Sequence, residues 1–142
     1  MVGVSNRNGA CSIALLCALL AGTAQAADLR VEVEGLRSAE GNLLVAVCTP
    51  ETFARSGCPY VAAVPASSGG ATVRGIPPGT WGVQAIHDED GDGKLTRRGF
   101  IPSEGMAFSR DAPMRLGPPQ FADAALNLTG DGTITITMRY FQ

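Results

Sequence analysis

A single histidine, His87, stands in a chain of 142 residues. That scarcity excludes metal centres built on several histidines, including any zinc site that needs two. Aromatic residues make up only 6% of the chain, with one Trp, so there is little flat surface on which a sugar could stack. Eleven basic residues against thirteen acidic ones give a formal net charge of -2, and the basic excess of a nucleic-acid binder is missing. Charged residues reach 17% against 45% hydrophobic, a balance that excludes a disordered acidic tail. The 18 glycines follow no Gly-x-y period, so the chain is not collagenous. No apolar run approaches the roughly 20 residues of a membrane-spanning helix. Neither a phosphate-cradling glycine loop nor a G-x-S-x-G nucleophile elbow is present.

What is there begins with an export signal over residues 1–26. Arg7 supplies the positive start, Ile13 to Leu20 a short apolar run, and Ala24-Gln25-Ala26 an A-x-A cleavage site. Residues 27–142 then form one domain, and the expected location is periplasmic or secreted. Cys11 and Cys17 fall within the signal, which leaves Cys48 and Cys58. An even pair in an oxidising compartment is expected to form a disulfide. Its ten-residue offset matches no redox or zinc pattern.

The pattern of residues 27–142 is that of strands. Leu29 to Glu34 alternates apolar with charged, and Leu43 to Cys48 is almost wholly apolar. Tyr60 to Val64, Ala71 to Val73, Trp81 to Ile86, Phe121 to Leu128 and Thr133 to Tyr140 read as further strands. Trp81, which follows the Pro77-Pro78-Gly79 turn, is expected to be buried between the sheets. No segment keeps a 3.6-residue period. The expectation is an all-β fold: one antiparallel Greek-key β-sandwich, immunoglobulin-like or prealbumin-like, of about seven strands with one long loop. That loop runs from Asp88 to about Pro119, a length that belongs to functional or to disordered segments.

The chemistry concentrates at its start, in His87-Asp88-Glu89-Asp90-Gly91-Asp92-Gly93-Lys94-Leu95. Asp88, Asp90 and Asp92 at alternate positions followed by Gly93 make the first half of an EF-hand-type loop, D-x-D-x-D-G. Calcium takes six to eight hard oxygens, and a glycine-assisted turn can fold three alternate carboxylates inward. The Lys94 backbone carbonyl is the next candidate ligand. The bidentate Glu of a complete loop is missing, because Gly99 occupies that position; Glu104 is the carboxylate that could fold back in its place. The competing reading is a metal-free acidic turn.

Three functions follow. The first is an exported binding or accessory module, without enzymatic activity, whose Asp88–Glu104 loop is a calcium-ordered surface for an envelope protein or a small ligand. The second is a structural envelope domain that packs on a partner through a strand edge. The third is a hydrolase using the carboxylates near His87, with Ser103 and Ser109 as the nearest serines. Catalysis requires His87 to converge on a concave pocket with a second group.

Several blocks in order carry a family resemblance. They are Pro77-Pro78-Gly79-Thr80-Trp81, the acidic run above, Gly99-Phe100-Ile101-Pro102-Ser103-Glu104-Gly105, Phe108-Ser109, and Gly117-Pro118-Pro119-Gln120-Phe121 with Asp123-Ala124-Ala125. Together they resemble the exported bacterial family called domain of unknown function 2141. The resemblance implies export and a transthyretin-like or immunoglobulin-like sandwich, and it brings no assigned activity.

Overall fold

Alternation of apolar and polar residues gives this chain its first strand. In Ala27–Glu34 (β1), Leu29, Val31 and Val33 turn inward while Arg30 and Glu32 stay half-exposed and pair with each other. The structure, a computed structural model, describes Gly3 and residues 22–141. Arg7 and the apolar run of the expected signal peptide lie outside the described residues. Ala24 to Ala26 are exposed and without regular structure, and burial begins at Ala27.

The strands that follow are Asn42–Cys48 (β2), Tyr60–Pro65 (β3), Gly70–Ile76 (β4), Gly79–Asp88 (β5), Arg97–Arg98 (β6), Ile101–Pro102 (β7), Gly105–Phe108 (β8), Leu126–Leu128 (β9) and Gly132–Thr137 (β10). They form two main sheets. One is β10-β1-β4; the other runs β3-β2-β5-β8, with β9 on the first residues of β5. Leu43, Val45, Val47, Val83 and Ala85 from the larger sheet meet Leu29, Val31, Val73 and Ile136 from the smaller one. Each Leu, Val or Ile among them taken from water contributes about 1.5–3 kcal/mol. The result is the expected all-β sandwich, and most of its pairings are antiparallel. The β1–β10 ladder is parallel, with Val31 opposite Ile134.

The disulfide joins Cys48 to Cys58, which fits an oxidising, non-cytoplasmic compartment. No helix among the described residues is long and apolar enough to cross a membrane.

Four local expectations change. The Asp88–Pro119 stretch is not all loop, because β8 inside it completes the larger sheet against Gln84–His87 of β5. A side chain at Gly105 of β8 would lie 2.5 Å from the Tyr140 ring, so only glycine fits there. Phe121 to Ala124 is a helical turn rather than strand (α1). Phe121 and Ala124, three apart, both turn toward a second small core with Phe53 and Phe108. Trp81 is half-buried at the end of the sandwich, not enclosed between the sheets. Its indole N–H donates to the Pro77 carbonyl at 2.9 Å, and Tyr60 packs edge-on against it.

The C-terminal strand also ends sooner than its alternation suggests. The Met138 N–H still donates to the Glu34 carbonyl of β1 at 2.8 Å, and the chain then crosses to the other sheet, where Arg139 and Met106 exchange two backbone hydrogen bonds of 2.9 Å. That crossing carries Tyr140 to the end of β5, beneath the acidic loop.

Candidate functional site

His87 and Asp88 end β5 on opposite faces. Both are fully buried. Nε2 of His87 faces the Glu40 carbonyl at 2.8 Å, which can only accept, so Nε2 carries the proton. Nδ1 then accepts from the Tyr140 hydroxyl at 2.7 Å. The same hydroxyl receives the Arg37 backbone N–H. Both ring nitrogens of His87 are therefore committed to structural hydrogen bonds inside the sandwich. Ser109 is equally committed: its buried hydroxyl donates to the Ala124 carbonyl and accepts the Val83 N–H at 3.0 Å. Neither residue presents a free base or nucleophile to a cleft.

Beyond Asp88 the chain folds on its own carboxylates. Asp88 accepts the Gly93 N–H at 2.8 Å and the Asp92 N–H at 3.1 Å. Asp90 also accepts the Asp92 N–H and, more weakly, the Thr96 hydroxyl at 3.3 Å. Such bonds are what short Asp side chains do in tight turns. The turn reverses through Gly91 and Gly93, at φ 71° and 75°, a region that glycine enters freely. The turn sits close over the β1–β2 connection. A side chain on Gly41 would lie 2.1 Å from the Asp88 carbonyl oxygen, so this approach requires glycine as well.

Glu104 closes the site from the other side. The Ser103 N–H and hydroxyl both donate to the Thr96 carbonyl, and the Thr96 N–H donates to Glu104 Oε2 at 2.9 Å. These bonds pinch together the two ends of a small β6–β7 hairpin. They also bring the Glu104 carboxyl to Asp88 and Asp90: one oxygen from each of the three lies within 4.8 Å of the other two. Glu104 is only 4% exposed, and its Oε1 has no hydrogen-bond donor. Burial pushes the Glu104 carboxyl above the usual carboxylate range, and the charges of Asp90, Asp88 and Asp92 push the same way. Asp90 is held below its ordinary value, chiefly by the Asp92 N–H.

The candidate ligands thus divide. Asp88, Asp90 and Glu104 are gathered. Asp92 stands outside the trio; its carboxylate accepts the Lys94 N–H at 2.8 Å. Lys94 is exposed.

The spacing of residues gave no sign of Arg37. Its guanidinium forms a bidentate pair with Glu89, reaches the Ser103 carbonyl at 3.3 Å and lies 4.4 Å over the Tyr140 ring. Its hydrogen bonds to Glu89 lower the proton affinity of that carboxylate. One side chain from the β1–β2 connection therefore clamps both legs of the acidic loop.

Among curated proteins and solved structures no match was found. A family model does match, over residues 31–137, and those residues contain the acidic loop and every strand but the first four residues of β1. The chain belongs to the bacterial family described as "Uncharacterized protein conserved in bacteria (DUF2141)".

Proposed function

We propose that this chain is an exported, non-enzymatic module of the bacterial envelope whose Asp88–Glu104 loop is ordered by calcium and serves as its working surface. The observation that carries the reading is the Glu104 carboxyl. An orphaned, buried carboxylate oxygen beside two further carboxylates is unfavourable unless a proton or a metal cation joins them, and a cation that all three can share satisfies them together. Three carboxylates are hard oxygen ligands of the kind calcium takes, and the Lys94 carbonyl can add another. The ligand set is short of a complete calcium loop, so the affinity belongs with extracellular modules, at a Kd of about 10⁻⁴–10⁻³ M. Export is supported by Arg7, the apolar run and Ala24-Gln25-Ala26, and by the Cys48–Cys58 bridge.

Thermal melts of the purified domain in calcium, magnesium and chelator test this, with Asp90→Ala and Glu104→Gln alongside. Calcium at ten times Kd should stabilise the wild type by about 1.4 kcal/mol. Both variants should lose that response. A wild-type melting temperature that ignores calcium up to millimolar levels would overturn the reading.

A second reading, packing on an envelope partner through a strand edge, draws on β3. This edge strand of the larger sheet carries no charged residue, and its Val61 is 69% exposed. Val61→Lys should abolish such packing and leave the calcium response intact.

A further inference from the structure

The β6–β7 hairpin has a use that the cation trio does not explain. Phe100 at its tip is 98% exposed, and Leu116, on the segment after β8, is fully exposed. With Ile101 they wall a cleft of about 270 Å³ floored by Met106 and Met114. Large apolar side chains left in water around a concavity mark a binding site far better than scattered ones do.

Two cations stand at the same cleft. Arg97 and Arg115 both line it, both are exposed, and neither is in an ion pair among the described residues. Arg97 and Arg115 are set apart from the other exposed arginines by their place on this cleft. An apolar concavity flanked by unpaired guanidinium groups is complementary to a molecule with an apolar body and an anionic end. The volume lies just under the roughly 300–1,000 Å³ of ordinary ligand pockets, which suits one aliphatic chain. A guanidinium fork matches a carboxylate bidentately.

We infer that this cleft binds a single-chain aliphatic carboxylate, its chain on Met106, Met114, Phe100 and Leu116 and its carboxylate on Arg97 and Arg115. Methionine suits such a surface, since its unbranched thioether adapts to a chain without fixed shape. The inference stands on residues outside the cation trio and does not depend on calcium.

Calorimetric titration of the purified protein with hexanoate, octanoate, decanoate and decanol tests it, with calcium present throughout. Decanoate should bind at one saturable site. Each added methylene from hexanoate to decanoate should tighten binding about fourfold at most. Arg97→Gln with Arg115→Gln should weaken decanoate about fivefold and leave decanol unchanged. Phe100→Ser with Leu116→Ser should weaken both about tenfold. All four substitutions replace exposed or rim side chains, so the fold is retained, and the thermal melt of each variant serves as the check. The inference is overturned if wild type binds decanol as tightly as decanoate, or if affinity ignores chain length. It is equally overturned if the Phe100/Leu116 variant keeps full affinity for decanoate.

Discussion

Two excursions leave the larger sheet, and they are held by opposite means. Residues 49–57, between β2 and β3, are closed by the Cys48–Cys58 bridge. Phe53 within them packs edge-on against Phe108 and Phe121, with ring centroids 5.5 and 5.7 Å away. Gln84 completes the fit, accepting the Ala54 N–H at 2.7 Å and donating to the Arg55 carbonyl at 3.1 Å. The second excursion, residues 89–104, has no covalent closure. Its shape comes from carboxylates that accept backbone N–H groups, from the Arg37 clamp, and from a buried Glu104 whose charge is opposed by its neighbours. The first loop is complete within the chain. The second gathers negative charge in one place and leaves an acceptor over, and that asymmetry separates a structural loop from a candidate site.

Breaking the first loop should have the larger effect. Phe53→Ala removes the central ring of the second core and should destabilise the domain by about 3–5 kcal/mol, measured by denaturant unfolding, with the calcium response unchanged. Replacing both bridged cysteines by serine should cost about 2–3 kcal/mol, again without affecting calcium. If either change abolished the calcium response, the two loops would be one cooperative unit and the contrast would fail.

The acidic loop can be sharpened by pH. In chelator, Glu104 has its folded-state affinity for a proton raised above that of the unfolded chain. Its contribution is therefore present in full below the ordinary carboxylate range and is lost as pH rises through the raised value. Glu104→Gln carries no such group. The variant should match wild type near pH 4 and become the more stable of the two as pH rises toward neutrality. Calcium should close that gap, because it binds the charged form in wild type alone. A gap that stays constant with pH would mean that Glu104 is not strained by its surroundings.

The site was partly legible from residue order. D-x-D-x-D-G located the turn, and the vacancy at Gly99 pointed to Glu104 as the replacement carboxylate. Asp92 is not among the gathered carboxylates, because alternate spacing does not say which side chains will converge. In the fold, a short apolar run located β2, and period-two alternation located β1 and β5, since one buried face imposes it directly. It failed at Phe121–Ala124, where two apolar residues three apart serve a single helical turn, and at β8, which is short and lies inside a polar stretch.

By itself the sequence determined the strand class, the cysteine pair and the acidic turn, because alternation, pairing and local Asp–Gly chemistry act between residues close along the chain. Tertiary structure decided the rest. It brought Arg37 to Glu89 and Ser103, Tyr140 to His87, and Glu104 to Asp88 and Asp90. These contacts join groups up to 66 residues apart, and they exist only because β8 and the crossing of the C-terminal strand deliver distant segments to one end of β5. Nothing local marks such a partner, since its position is set by sheet order and register rather than by its neighbours in the chain.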